Sequence, residues 1–487
     1  MKTLASHRFV DALLAALAIC IAIFVAGCGV PLAPGYKIQK ESLAVRFVPG
    51  NPPHLAIRAE YRLTNMGNSP LNFIAVGLPD EKGFGRSNLR AEVGGKGIVL
   101  QHEPTEPAGD WRIPFPVSWH QKEKIDLSLS YDLAAQPVSD PRIFVTANTF
   151  YLNDSGWFPT LMGFKAFLSP AVGRPDPATL SVTIPANFRV TASGRPRGNK
   201  KQNGEVTHQF LIRKADFDPY VLAGQYNEQR INSTNASIVF WTRKPFPVAD
   251  AQIAASRVSS AYRFYATSFG SLSRPSIFVI ESGDLRDSEN KLSNVVSSPP
   301  PRTVFSPIPV FIEPGADEPF PSFGIRRALA WTWFGHEIKP RPEAWVLAGG
   351  LADTAARASE SARESRRRDD IGLVLDSYGR GTAVEKPIIN LSVDDPYEQI
   401  RLGRGKMILF YFALEDKCGQ QNVTHAIAHM VYALRGQQYG YSDFRAALEQ
   451  ECHQNLSDFF DVWLQQKGIP ADFRARYENA VSNSAKP

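Results

Sequence analysis

Four runs in the first half of the chain alternate apolar and polar residues: Leu43-Ala44-Val45-Arg46-Phe47, Leu55-Ala56-Ile57-Arg58-Ala59-Glu60-Tyr61, Ile125-Asp126-Leu127-Ser128-Leu129-Ser130-Tyr131 and Leu180-Ser181-Val182-Thr183-Ile184. A period of two puts every second side chain on one face, so each run has one face to bury and one to leave in water. Turn residues separate such runs throughout 42–226, which predicts an N-terminal antiparallel β-sandwich. Beyond it the pattern changes. Ile238-Val239-Phe240-Trp241 reads as a strand, and 248–268 as a helix with Ile253, Val258, Tyr262 and Tyr265 on its apolar face and Gly270 at its end. Ser276-Ile277-Phe278-Val279-Ile280-Glu281 is the next strand, Val304-Phe305 and Val310-Phe311-Ile312 are short strands among Pro-rich turns, and the chain is helical from about 320.

At 487 residues and 43% hydrophobic content there is enough apolar surface for more than one core, so two to four domains are expected. The net charge of +6 is spread over interspersed Lys/Arg and Asp/Glu. The basic cluster Arg366-Arg367-Arg368 runs straight into Asp369-Asp370 and reads as solvated surface, so no nucleic-acid partner is expected.

Near the N-terminus, Lys2 and Arg8 precede an apolar run over 12–26 that ends in Val25-Ala26-Gly27-Cys28. The run is shorter than the roughly 20 residues a spanning helix needs and closes on small residues, the pattern of a bacterial lipobox. Residues 1–27 then read as a lipoprotein signal peptide, Cys28 as the lipidated residue, and 28–41 as a tether holding the body close to the membrane. Gly29 after the cysteine, by resemblance to Gram-negative lipoproteins, implies the outer membrane facing the periplasm. Cys20 falls within the removed signal. Cys418 and Cys452 remain, at the ends of two predicted helices, either as a disulfide or as two buried thiols.

The stretch Ile325-Arg326-Arg327-Ala328-Leu329-Ala330-Trp331-Thr332-Trp333-Phe334-Gly335 ends in a Trp-Phe-Gly that resembles the tail of the H-E-x-x-H-x-W-F-G zinc helix of the aminopeptidase N family of gluzincin metallopeptidases. Counted back from that tail, the first His falls on Arg327, the Glu on Ala328 and the second His on Trp331. Two imidazoles at i and i+4 share a helix face and can hold one ion, with a neighbouring carboxylate activating water. Arg327 is a permanent cation without a lone pair, Trp331 donates only an N–H, and Ala328 is no base. The family's third ligand, a Glu in W-L-x-E-G-[FL]-A, corresponds to Ala348 or Gly349 in Trp345-Val346-Leu347-Ala348-Gly349-Gly350-Leu351-Ala352. Its transition-state Tyr, which precedes a Lys-Gly pair, corresponds to Leu402 in Leu402-Gly403-Arg404-Gly405. The resemblance thus implies a degenerate zinc site at Arg327, Ala328, Trp331, Gly349 and Leu402, with no catalytic residue, no metal and no cofactor. Arg327 and Trp331 read as a bulky, positively charged cleft floor suited to an acidic or aromatic group.

Other segments resemble the same family in order: Trp157-Phe158-Pro159, Ser193-Gly194 and Val221-Leu222-Ala223-Gly224-Gln225-Tyr226 in the sandwich, then Phe459-Phe460-Asp461-Val462-Trp463 leading to Gly468-Ile469-Pro470. The family's Gly-x-x-Glu-Asn substrate-amine motif has no copy, since Glu289-Asn290 sits in a polar loop. In His336-Glu337-Ile338-Lys339-Pro340 the second His of a zinc motif is replaced by a helix-breaking Pro. His425 and His429 do stand at i and i+4 but have no carboxylate between them. Ser442 and Ser457 are read as helix caps.

The expected architecture is multidomain β plus α/β: the sandwich over 42–230, then a thermolysin-like α/β and helical peptidase-type domain over 231–487. The expected function is that of a catalytically inactive, aminopeptidase-N-like envelope lipoprotein that binds a peptide or envelope protein or acts as a scaffold. The family resemblance adds a link to ABC-type export systems. The alternative is a metallo-aminopeptidase with relocated ligands, His425 and His429.

Overall fold

The structure is a computed structural model, described for residues 36–79, 81–102, 110–134, 143–152, 156–161, 177–213, 219–233, 236–272, 276–281, 303–306, 323–359, 363–379, 386–390 and 405–484. Cys28, Glu289, Asn290, Val310, Phe311, Ile312 and Leu402 lie outside these residues. The first part is rich in β-sheet and the last part helical. Among the described residues no helix is long and apolar enough to cross a membrane.

The strands of the first part that bear on the argument are β1 (Tyr36–Val48), β2 (His54–Asn65), β3 (Leu71–Gly77), β4 (Ser87–Val93), β5 (Lys96–Ile98), β6 (Asp110–Trp119), β7 (Lys124–Leu133), β8 (Ala178–Pro185), β9 (Arg195–Gln202) and β10 (Glu205–Ile212). Eight of them form one sheet in the order β9-β10-β8-β1-β2-β7-β4-β5, and β3 pairs with β6 in a second, smaller sheet. The alternation behaves as the sequence requires: Leu43, Val45 and Phe47 are buried, as are Leu180, Val182 and Ile184. Two expectations need correction. The sheet is not wholly antiparallel, because β1 pairs β8 in parallel from Ser42↔Thr179 to Arg46↔Thr183. More than a hundred residues separate these strands, so no hairpin fixes their relative direction. The tether also ends earlier than 41, since β1 starts at Tyr36 and buries Tyr36, Ile38 and Glu41.

Trp157-Phe158-Pro159 is held by the sandwich: Tyr131 Oη donates to Trp157 O at 2.8 Å, Tyr61 Oη to Pro159 O at 3.0 Å, and Trp157 Nε1 to Pro219 O at 2.8 Å. Gly194 has φ 90°, and a Cβ there would stand 2.5 Å from Leu211 O, so only glycine fits.

A four-stranded sheet follows, β11 (Asn227–Asn232), β12 (Ser237–Thr242), β13 (Ser276–Glu281) and β14 (Thr303–Ser306), in that order. Helix α1 (Val248–Phe269) is the crossover between the parallel strands β12 and β13. It buries Val258, Tyr262 and Tyr265 with four alanines, whereas Ile253, expected on the apolar face, is 50% exposed. Its small residues let the helix lie close on the sheet. Gly270 ends it at φ 89°. A buried cluster of Phe144, Tyr151, Leu222, Val239, Trp241 and Ile280 joins the sandwich to this sheet. Arg243 crosses the same junction, stacking on Tyr226 at 4.5 Å and donating to Gln225 O at 3.2 Å and to Thr149 Oγ1.

The helical part comprises α2 (Phe323–Trp331), α3 (Trp345–Ala358), α4 (Arg363–Gly379), α5 (Gly405–Cys418), α6 (Gln420–Ala433), α7 (Tyr441–Cys452), α8 (Ser457–Gln465) and α9 (Ala471–Ser484). Arg367 on α4 is not the solvated residue its cluster suggested. Its guanidinium donates to Phe412 O at 3.0 Å, Asp416 at 2.7 Å and Tyr477 Oη at 3.1 Å, linking three helices. The caps sit earlier than expected, at Gly440, two residues before Ser442, and at Leu456, one before Ser457. Asp443 accepts from Gly440 N at 2.8 Å, and Glu449 from Leu456 N at 2.9 Å, so carboxylates three and seven residues away engage the backbone at these helix starts, and neither serine is the cap. Cys418 and Cys452 form a disulfide between the ends of α5 and α7, with Cα atoms 5.4 Å apart.

Candidate functional site

Helix α2 runs without a break into a π-helix, Thr332–Glu337, so the Trp-Phe-Gly segment is more loosely wound than the α-helix before it. Ile338 N donates to Trp333 O at 3.1 Å, and the widened ladder leaves Phe334 O to accept from the buried Tyr439 Oη at 2.8 Å. Burial pushes the Tyr439 phenol well above the usual tyrosine range. Trp333 Nε1 donates to Gly270 O at 2.7 Å, tying the π-turn to the end of α1.

Arg327 and Trp331 lie one turn apart on the face of α2 that meets α3. Arg327 is buried, and its Nε donates to Asp353 Oδ1 at 2.5 Å; Asp353 itself is 1% exposed. The guanidinium carbon stands 5.6 Å from the centre of the Trp331 ring, and Trp331 meets Trp345 edge-on at 4.9 Å. Trp331 is 1% exposed, and among the described residues its Nε1 has no hydrogen-bond partner. The indole lies against the backbone of the following turn, where a Cβ on Gly335 would stand 2.1 Å from Trp331 Nε1. Gly335 is thus required by the indole of Trp331, one turn earlier.

On α3, Gly349 and Ala348 are buried, and Asp353 follows Gly349 by one turn. Gly350 lets α3 and α5 approach until a Cβ would stand 2.5 Å from Met407 Cβ, and Tyr411 Oη donates to Leu347 O at 3.2 Å across the same contact. Ala328 is half-buried beside this core.

These residues do not fit a zinc ion. The positions on α2 and α3 offer a guanidinium, an indole, a methyl group and a glycine, none of which has a lone pair for a metal. The nearby carboxylate, Asp353, is engaged by Arg327. Among the described residues no group of three or more His, Cys, Asp and Glu is placed to hold a metal ion. His425 and His429 are both exposed on α6. His336 is half-buried, and Glu337 is ion-paired with Arg435 at 3.5 Å.

The sequence reading of a charged, ligand-accepting floor is therefore corrected. Asp353 neutralises Arg327, and Trp331 is packed under rather than presented. Asp353 escaped that reading, although a lone acid within Gly349-Gly350-Leu351-Ala352-Asp353-Thr354-Ala355-Ala356 is a usable signal for a buried partner.

No family model matches the chain, and no curated protein does. Solved structures do match. An M1 zinc metallopeptidase from Deinococcus radiodurans is similar over 90% of this chain and 95% of its own, with 17% identity and a TM-score of 0.59. A glutamate-to-alanine mutant of an M1 zinc metallopeptidase from the same organism gives 90%, 96%, 17% and 0.59. A two-domain M1 zinc metallopeptidase mutant bound to L-arginine gives 90%, 95%, 17% and 0.57. The fold, a β-rich first part and a helical last part, is that of a two-domain M1 metallopeptidase.

Proposed function

We propose that this chain is a lipid-anchored envelope protein in which an aminopeptidase scaffold has lost its chemistry and serves as a binding or scaffold component. The observation that carries this reading is the Arg327–Asp353 pair, which puts a neutralised cation where the resemblance places a metal ligand. With no Lewis acid and no base at Arg327, Ala328, Trp331 and Gly349, the family mechanism has nothing to polarise a peptide carbonyl or activate water. The degenerate site includes Leu402 at the position of the family's transition-state tyrosine.

In this reading 1–27 is a signal peptide, Cys28 carries the lipid, 42–230 is the sandwich domain, and 231–487 is a thermolysin-like domain. The location is the outer membrane, facing the periplasm. An envelope peptide or protein, including a component of an ABC-type export system, is the expected partner. In this reading a partner meets outer surfaces of the molecule, which the burial of Arg327 and Trp331 supports. The purified chain is expected to leave amino-acid p-nitroanilides and short peptides intact, with or without added zinc. Chelator-sensitive release of an N-terminal amino acid would overturn the proposal.

A further inference from the structure

We infer that the end of the sandwich where β1 begins is a docking face for an anionic phospholipid bilayer; the inference rests on the lipid-anchored reading and adds the orientation of the body. Tyr36, the first residue of β1, is the register partner of Asn65, the last of β2, and its ring lies 6.0 Å from that of Trp119, the last of β6. Asn65 Nδ2 donates to Trp119 O at 2.7 Å, Lys122 N to Asn65 O at 2.8 Å, and Gln121 Nε2 to Asn68 Oδ1 at 3.0 Å. The entry of the chain and the turns over 66–70 and 120–123 therefore share one end.

That end carries exposed apolar side chains: Met66, in the turn after β2, is 57% exposed, and Val117, two residues before the end of β6, is 76% exposed. Cations stand at the same end. Lys37 and Lys124 flank Thr64 on the outer face of the large sheet, because Thr64 is the register partner of both. Lys40 and Arg62 stand on the next row, Arg62 paired with Asp126 at 2.8 Å. Lys122 projects from its turn at φ 64°. The opposing carboxylates are Asp126 and Glu123, which accepts from His120 N at 2.8 Å, while Glu41 is buried in the sandwich.

Cys28 precedes Tyr36 by eight residues. Fully extended, that segment spans at most about 26–29 Å, so a lipid on Cys28 holds the start of β1 within that distance of the bilayer. An exposed Met and Val at an end that also carries Lys37, Lys122 and Lys124 match that surface: apolar atoms enter the headgroup boundary and ammonium groups meet phosphates.

The test uses the chain from Gly29 onward, which keeps every described residue and carries no lipid. It is expected to sediment with vesicles of phosphatidylethanolamine and phosphatidylglycerol, to be released by salt, and to ignore phosphatidylcholine vesicles. Binding is expected to fall about tenfold or more in the triple variant Lys37→Glu, Lys122→Glu, Lys124→Glu, and to fall also in Met66→Asp with Val117→Asp, with unchanged circular dichroism. Absence of binding to anionic vesicles, equal binding to neutral ones, or self-association through this end in sedimentation velocity overturns the inference. Mass spectrometry of Cys28 in membrane-extracted protein separates the two readings. An unmodified Cys28 with vesicle binding intact removes the anchor and leaves the docking face. A lipidated Cys28 without vesicle binding removes the docking face and leaves the anchor.

Discussion

Arg327 Nε and Asp353 Oδ1 meet at 2.5 Å across the contact of α2 and α3, with side-chain exposures of 10% and 2%. A metal ion bound by both helices would cross-link them at this level; here an ion pair does so. Removing one member of a buried pair strands the other charge in a poorly solvated place, which costs about 3–5 kcal/mol, whereas exchanging both for apolar groups of similar volume costs far less. Arg327→Ala and Asp353→Asn are therefore each expected to lower unfolding stability by about that amount, and Arg327→Met with Asp353→Leu to recover most of it. Denaturant unfolding of the four proteins in a double-mutant cycle measures the coupling. Additive losses would show that the pair does not join the helices.

A second relationship is steric. A Cβ on Gly335 would overlap Trp331, so Gly335→Ala is expected to cost upwards of about 1–3 kcal/mol, and Trp331→Ala about 3–5 kcal/mol through lost packing. In Trp331→Ala the added methyl has room, and Gly335→Ala is expected to be nearly neutral there. Thermal unfolding of the double variant tests this, and an equal penalty in both backgrounds would contradict it.

Burial raises the phenols of Tyr131, Tyr411 and Tyr439 well above the ordinary range. A group whose folded pKa is raised contributes stability that is full below its unfolded value and lost as pH climbs past it. Stability is thus expected to decline above about pH 10, where unfolded tyrosines ionise. Tyrosinate absorbance should then appear together with the loss of secondary structure. Full ionisation of all tyrosines in the folded chain would contradict these burials.

The disulfide between Cys418 and Cys452 closes a separation of 34 residues. Replacing both cysteines by serine is expected to cost about 2–4 kcal/mol in unfolding under oxidising conditions and nothing extra under reducing ones. An unchanged midpoint under oxidising conditions would show that the link contributes no stability.

Much of the fold was legible because it rests on local patterns. Period-two alternation marked β1, β2, β7 and β8, and Gly270 marked the end of α1. What escaped depends on residues far apart in sequence. The parallel pairing of β1 with β8 leaves no local trace, and neither does the use of Arg367 by α4, α5 and α9. At the site, the lack of metal-donor atoms at Arg327, Ala328 and Trp331 could be read from side-chain chemistry alone. The partner that neutralises Arg327 could not, because Asp353 is brought in by the packing of a second helix. Gly335 was visible as part of a motif, yet its role is set by the indole laid against it, and the π-turn that carries it has no distinctive spacing.

Placing His, Glu and His at positions 327, 328 and 331 is expected to give no peptidase activity, since in the proposed reading Gly349 and Leu402 stand where the remaining ligand and the tyrosine would be needed. Hydrolysis by that triple variant would show that those two positions are not what the family pattern implies.

The central claim, that the ion pair excludes a metal from the scaffold, is tested most directly by the zinc content of the purified chain after equilibration with zinc and exhaustive dialysis. The expected result is far less than one zinc per chain, unchanged in the variant that carries alanine at both His425 and His429. About one tightly held zinc per chain, lost with chelator, would contradict it.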